Sequence, residues 1–357
     1  MSQVVRVLVV DDSAFVRKTV REMLSRNPYI EVVGAARDGG EALELVEQLR
    51  PDVVTCDLNM PRMDGEEFVR RQMGIRALPI LLLSSAEEDA EQAMAALDAG
   101  AVDFVRKPTA LANDDLLRIK DELVEKVKAV ARMRLRSEIL DSVAGDEMLQ
   151  AGTANGREAA APPRIGTARV EAVVIGISTG GPQALRFLVP RLPKDFAAPL
   201  AIVLHMPLGF TALFASKLAE VSQLEVREAV EGDEFCRGRI LLAPAGKHMT
   251  LVRRAGGQVV AHLSRQPSES LHRPSVDVLF RSAAEVFGER VLGVVMTGMG
   301  SDGREGAAWI KSKGGSVITE AEETCVIYGM PRSVAEAGLS DAAVPLSRMA
   351  IAIMERI

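Results

Sequence analysis

Short apolar runs alternate with amphipathic stretches along the chain. In the first part the runs are Val5–Val10, Val53–Cys56, Ile80–Leu83 and Val102–Val105. Between them apolar positions recur at helical spacing, as in Ala42, Leu43, Leu45, Val46 and Leu49. Continuous β-branched runs predict strands buried on both faces, hence a parallel sheet. Their alternation with helices predicts a doubly wound α/β domain. A helix rich in Lys and Arg follows, from Asp114 to Ile139. Ala144 to Arg169 is then dominated by Ala, Gly, Thr, Glu and Pro without periodicity, which predicts a flexible linker. The buried-strand pattern restarts at Ala172–Ile177 and recurs at Leu200–Leu204, Arg239–Ala243, Val291–Met296 and Ser316–Ile318. The expected fold class is α/β, with two doubly wound, mostly parallel-sheet domains. They are expected at residues 1–125 and 170–357, joined over 126–169 by the basic helix and linker.

Composition narrows the field. The chain has 357 residues, 48% of them hydrophobic and 26% charged, which suits two globular cores rather than a disordered or fibrous protein. A net charge of −6 argues against a general nucleic-acid or membrane-surface binder. The three cysteines, Cys56, Cys236 and Cys325, are far apart and show no metal-ligand spacing. They read as small buried hydrophobes in a reducing compartment. No apolar run is long enough to span a bilayer. A cytoplasmic protein without membrane insertion is expected.

In the first domain, polar residues close successive strands. Asp11 and Asp12 follow the first, Asp57 ends the third, Ser84 the fourth and Lys107 the fifth. Ligand crevices of open parallel sheets lie beyond the carboxyl ends of the strands, so the five converge on one edge. Three clustered carboxylates need a cation, and hard oxygen ligands suit Mg²⁺. One carboxylate can then attack a phosphoryl group, with a lysine and a hydroxyl on the phosphoryl oxygens. Asp57, alone at its strand end, is assigned the nucleophile, and Asp11 and Asp12 the metal.

These residues lie in V-D-D-S at Val10–Ser13, D-L-N-M-P-R-M-D-G at Asp57–Gly65, L-S-S-A at Leu83–Ala86, and K-P at Lys107–Pro108. Here the chain resembles the response-regulator receiver family, over residues 4 to 125. The resemblance implies a flavodoxin-like fold and phosphorylation of Asp57 by a partner histidine kinase. It also implies that Ser84 and Phe104 are switch positions. Asn59 stands where many relatives carry an acidic residue.

In the second domain the first strand runs into G-I-S-T-G at Gly176–Gly180, a strand–turn–helix arrangement that exposes Ser178. The turn offers the Thr179 amide as an oxyanion donor, and the helix N-terminus adds a favourable dipole. Alone, the motif fits a phosphate-cradling or plain turn equally well. A serine needs a base, and the chain has four histidines, His205, His248, His262 and His272. His205 closes Leu200–Leu204, the same topological position as Ser178, and is the best candidate. His248, expected in a loop after Pro244, is second. His272 could line the site, and His262 reads as a surface residue. Asp302, in the Gly-rich loop after Val291–Met296, is the candidate third member, although a bare turn aspartate is common. The chain order Ser, His, Asp is not that of the ordinary α/β-hydrolases.

The second domain resembles the catalytic domain of the chemotaxis protein-glutamate methylesterase family, CheB, over residues 170 to 350. The matching pieces are G-I-S-T-G-G-P, H-M-P-L-G-F-T at His205–Thr211, L-A-P-A-G-K-H-M at Leu242–Met249, H-R-P-S-V-D at His272–Asp277, and T-G-M-G-S-D-G at Thr297–Gly303. The resemblance implies a Rossmann-like serine hydrolase with Ser178 as nucleophile, His205 as base and Asp302 as orienter. It implies oxyanion-binding amides at Thr179 and Met299, and Arg273 at the substrate cleft. Leu204 replaces a glutamine that often precedes the histidine. The implied substrates are glutamate γ-methyl esters, and glutamines, on the cytoplasmic helices of chemoreceptors, with no cofactor for hydrolysis. Domain order predicts that the unphosphorylated receiver restrains the hydrolase. An adaptor with an inert hydrolase-like domain, or a receiver-controlled DNA binder, would be the competing classes; no basic recognition helix supports the latter.

Overall fold

The computed structural model describes residues 4–84, 90–107, 119–131 and 169–357. The chain divides into two compact units, and the described residues from Arg169 onward all fall in the second.

The first unit is a five-stranded parallel sheet in the order β2-β1-β3-β4-β5. Its strands are β1 (Val5–Val10), β2 (Ile30–Ala36), β3 (Val53–Asp57), β4 (Ile80–Ser84) and β5 (Asp103–Arg106). The helices are α1 (Ala14–Ser25), α2 (Gly39–Leu49), α3 (Gly65–Ile75), α4 (Ala90–Asp98) and α5, residues 119–131. β3 and β4 are buried at every position, as their unbroken apolar runs require. β2 has no such run because it lies at the sheet edge and stays partly accessible along most of its length. The strand order reverses between β1 and β3, where Val10 pairs with Cys56. This brings Asp11 and Asp57 side by side at the switch point, the usual ligand crevice of such sheets.

The expected boundary at residue 125 falls inside α5. Lys126 is buried there, with Nζ 3.0 Å from Asp103 of β5, 3.0 Å from Glu122, and donating to the Phe104 carbonyl at 2.8 Å. Such a cation cannot leave its carboxylate without a large penalty, so the first unit extends through at least residue 131. The rest of the expected basic helix and the linker over 132–168 lie outside the described residues.

The second unit is a seven-stranded sheet in the order β14-β13-β12-β6-β7-β9-β8, with every pair parallel. Its strands are β6 (Ala172–Ile177), β7 (Leu200–Leu204), β8 (Glu225–Glu228), β9 (Arg239–Leu242), β12 (Val291–Val295), β13 (Ser316–Glu320) and β14 (Ala342–Val344). An antiparallel hairpin, β10 (His248–Arg253) with β11 (Val259–Ser264), stands apart from this sheet. The helices are α6 (Gly181–Leu188), α7 (Phe210–Val221), α8 (Val276–Phe287), α9 (Arg304–Ser312), α10 (Met330–Glu336) and α11 (Leu346–Met354). α8 buries Val276, Leu279, Phe280, Ala283 and Phe287 in a core shared with Val174 and Val203 of the sheet and Met249 and Leu251 of the hairpin. At ~1.5–3 kcal/mol per large apolar side chain, this packing fixes where the N-terminus of α8 points. β6 starts the unit and lies between β12 and β7, so the chain reverses direction across the sheet at β6. The residues following β6, β7 and β12 therefore meet in one crevice.

Candidate functional site

In the first unit Asp11, Asp12 and Asp57 come together. Asp11 and Asp57 are buried, whereas Asp12 is exposed. Ligand oxygens of the three lie within 4.8 Å of one another. Lys107 bridges the two buried members, its Nζ 3.2 Å from Asp11 Oδ2 and 2.8 Å from Asp57 Oδ2. Burial dominates Asp57 and raises its carboxyl to about 6, although Lys107 pulls the other way. Asp11 is also raised, chiefly by burial. A site that holds two buried carboxylates against one ammonium carries excess negative charge. An all-oxygen donor set of this size fits a hard divalent cation such as Mg²⁺. Ser84, at the end of β4, and Phe104, within β5, are both buried. The Lys126 ammonium lies 5.9 Å from the centre of the Phe104 ring.

In the second unit, the turn after β6 carries Ser178. Its amide donates to the Thr297 carbonyl at 2.9 Å, and its carbonyl accepts from Gly181 at 2.7 Å, closing the turn into α6. Thr297 braces this turn further, since its hydroxyl donates to the Thr179 carbonyl at 2.9 Å. The Thr297 amide is itself held by buried Glu320 at 2.9 Å. A Cβ on Gly298 would lie 2.7 Å from Ser178 Cβ, so only glycine lets the β12 loop approach Ser178 so closely. Among the described residues the amides of Thr179 and Met299 have no hydrogen-bond partner. Thr179 follows the serine, and Met299 follows Gly298, the glycine packed against it.

His205 follows β7, and Ile177 pairs with Leu204 in register, so Ser178 and His205 leave adjacent strands at the same level. The His205 amide donates to the Ile177 carbonyl at 3.2 Å. Its Nε2 lies 2.9 Å from Asp302 Oδ2, while Nδ1 is buried with no partner among the described residues. The Ser178 hydroxyl makes no hydrogen bond among the described residues. Catalytic hydrogen bonds are often long or unformed without substrate and tighten when it binds.

Asp302 accepts from Val276 N at 2.8 Å, Asp277 N at 3.0 Å and Ser275 Oγ at 2.9 Å, besides His205. Burial opposes its ionisation, but the His205 contact and the α8 amides outweigh it and hold the carboxyl well below the usual range. An ionised Asp302 accepts the Nε2 proton, which leaves Nδ1 as the basic nitrogen. His272 stacks on His205, with ring centroids 4.2 Å apart and planes within 15°. Arg273 follows it, its guanidinium donating to the Ser268 carbonyl at 3.2 Å and its carbonyl accepting from Gly246 at 2.9 Å.

His248 does not lie in a loop. It begins β10 and is fully buried, its Nδ1 accepting from Ser275 N at 3.2 Å and its Nε2 3.1 Å from the Pro267 carbonyl. Both ring nitrogens are engaged and burial lowers its proton affinity, so it supports the Ser275 backbone rather than serving as a base. His262 is exposed and pairs with Glu231 at 3.0 Å. Sequence reasoning assigned no role to Ser275, Asp277, Thr297 or Glu320. Ser275 and Asp277 lie within the quoted H-R-P-S-V-D, where polar residues precede an apolar helical run. Glu320 carried no signal beyond ending an apolar strand.

The profile of the CheB methylesterase family matches residues 173–353, and that of the response regulator receiver domain matches residues 7–118. A protein-glutamate methylesterase/protein-glutamine glutaminase of Myxococcus xanthus is 48% identical over 353 residues, 99% of this chain and 97% of its own length. One from Pyrococcus horikoshii is 40% identical over 358 residues, 100% of this chain and 95% of its own. The crystal structure of the Thermotoga maritima CheB methylesterase catalytic domain superposes with a TM-score of 0.52 at 40% identity, covering 53% of this chain and 100% of that one. With a receiver domain ahead of a methylesterase domain, and relatives matched along their whole length, the chain belongs to the CheB methylesterase family.

Proposed function

We propose that the second unit hydrolyses γ-methyl esters of glutamate side chains on chemoreceptor cytoplasmic helices, and deamidates glutamines there, under the control of phosphorylation at Asp57. The observation that carries the hydrolase reading is the His205–Asp302 pair at 2.9 Å, one strand over from the Ser178 turn. In the reaction Ser178 Oγ attacks the ester carbonyl carbon and His205 Nδ1 takes its proton. The oxyanion is received by the Thr179 and Met299 amides. As the C–OCH₃ bond breaks, His205 returns the proton to the departing methoxide and methanol leaves. Water then attacks the acyl-enzyme with His205 again as base, releasing a glutamate carboxylate and restoring Ser178. With glutamine, ammonia is the leaving group. Asp302 fixes the Nε2–H tautomer and stabilises the imidazolium, and Arg273 lines the cleft.

In the first unit Asp57 is the phosphoacceptor, with a histidine kinase as donor. Asp11, Asp12 and Asp57 would hold Mg²⁺, which neutralises the carboxylates and the incoming phosphoryl oxygens. Lys107 and Ser84 bind those oxygens, and Ser84 and Phe104 reposition in response. The domains are assigned as a receiver from 1–125 with α5 continuing it, a linker to 169 and a catalytic domain from 170–357. The chain acts in the cytoplasm, where receptor helices and kinase are found. No helix among the described residues is long and apolar enough to cross a membrane.

The test is methanol release from methylated receptor membranes, with and without a small phosphodonor. Wild type should accelerate with the donor and Asp57→Asn should not. Absence of methanol under either condition overturns the hydrolase reading, and equal rates overturn the control.

A further inference from the structure

We propose that Asp277 is a positioning residue of the hydrolase site: Asp277 and Asp302 each cap the helix that carries or follows the other, and this reciprocal pair holds the Asp302 carboxylate on His205. The inference rests on the reading of Ser178, His205 and Asp302 as the reacting set.

Every helix begins with backbone N–H groups that lack partners within it. α8 and α9 both lack the usual remedy, because neither Ser275 nor Gly303, their N-cap residues, makes a side-chain cap. The caps come from across the site. Asp302, in the loop that leads into α9, accepts from Val276 N at 2.8 Å and Asp277 N at 3.0 Å, the first two amides of α8. Asp277, on α8, turns Oδ1 onto Gly303 N at 2.9 Å and Gly306 N at 2.7 Å, at the start of α9. Ser275 spends its hydroxyl on Asp302 Oδ1 at 2.9 Å instead of on its own helix. The helices touch at this point, since a Cβ on Gly306 would lie 2.5 Å from Phe280 Cβ and 3.0 Å from Asp277 Cα.

This closed loop of bonds leaves Asp302 little freedom to slide along His205 Nε2. Without Asp277, the loop carrying Asp302 keeps the bonds Asp302 makes but loses the return tie at Gly303, its immediate neighbour. Two adjacent carboxyls are a costly arrangement. Burial raises the proton affinity of Asp277, and the Asp302 charge adds to it. The Ser275 hydroxyl could cap α8 itself but goes to Asp302 instead, so the pairing is better explained by the geometry it imposes on Asp302. The groups facing His205 are Asp302 from the α9 loop and stacked His272, with Asp277 behind Asp302.

The experiment compares full-length Asp277→Ala, Asp277→Asn and Ser178→Ala on methylated receptor membranes, measuring kcat and KM. Asp277→Ala should lower kcat by ~10- to 100-fold, the scale of a misplaced catalytic group, with KM unchanged. Asp277→Asn keeps an oxygen for both amides and should recover most of kcat. If Asp277→Ala does not fold, Asp277→Ser, too short to reach both amides, carries the same comparison. A wild-type kcat in Asp277→Ala, a loss there that appears in KM instead, or an Asn variant as slow as the Ala variant overturns the inference. Ser178→Ala separates the two levels. Full activity there removes the catalytic reading itself, whereas an inactive Ser178→Ala beside an unimpaired Asp277→Ala removes only the role of Asp277.

Discussion

Replacing Asp302 with asparagine is expected to slow turnover by about two to four orders of magnitude while leaving KM unchanged. The Asp302 side chain is 8% exposed, and it faces His205 at 2.9 Å. In the proposed reaction the imidazole becomes a cation when it takes the Ser178 proton. The lost charge-assisted hydrogen bond is worth ~1.5–3 kcal/mol. The lost attraction between unit charges adds at most ~4 kcal/mol at about 4 Å with an effective dielectric near 20. A combined ~3–5 kcal/mol, at ~1.4 kcal/mol per tenfold, gives the stated range. Asparagine also presents an N–H donor where the carboxylate accepted, which favours the tautomer with its proton on Nδ1, the nitrogen that must accept the serine proton. KM should hold because Asp302 is occupied by His205, Ser275 and the α8 amides rather than by substrate. The assay is initial-rate methanol release across substrate concentration, with circular dichroism confirming the fold. A folded Asp302→Asn within ~3-fold of wild type would refute the argument, since that is under ~1 kcal/mol of barrier.

Further outcomes follow from the buried charges. Asp57, raised to about 6 by burial, binds its proton more tightly folded than unfolded. Its ionisation therefore costs stability above that pH, and the cost disappears as pH falls toward 4. With Mg²⁺ chelated at pH 7.5, Asp57→Asn should stabilise the first unit by ~1–3 kcal/mol, and a lower melting temperature would count against this. Lys126→Ala strands buried Asp103 without its cation and should cost the first unit ~3–5 kcal/mol in urea melts; a loss under ~1 kcal/mol, the surface-pair value, would mean that α5 is not tied to β5 as described. Asp302, depressed by its partners, contributes stability that is present above pH ~4 and is lost as pH falls through its folded value. Melting of wild type and Asp302→Asn should therefore converge as the solution is acidified, and curves that run parallel would contradict the assignment.

Much of both sites could be read from the chain because parallel sheets place chemistry at strand ends. Asp57, Ser84, Ser178 and His205 each close or follow an unbroken apolar run, and register then brings neighbours together. β2, β8 and β14 were not legible, because edge strands need apolar residues on part of their surface only. His248 was misplaced because Pro244-Ala-Gly signals a turn, and nothing local shows that the imidazole behind it is enclosed by Ser275 and Pro267. The reciprocal caps of Asp277 and Asp302 and the Glu320–Thr297 brace join residues far apart in sequence. A single sequence carries no periodicity for such contacts. The tie between α5 and β5 was hidden for the same reason, since Lys126 looks like any other cation of a basic helix until Asp103 is placed against it.

The central claim is that Ser178 is the nucleophile of a side-chain ester hydrolase, and methanol release by Ser178→Ala tests it most directly. At matched, folded protein concentration on methylated receptor membranes with phosphodonor present, the account predicts a loss of at least about 10³-fold. Methanol release by Ser178→Ala within tenfold of wild type would contradict it.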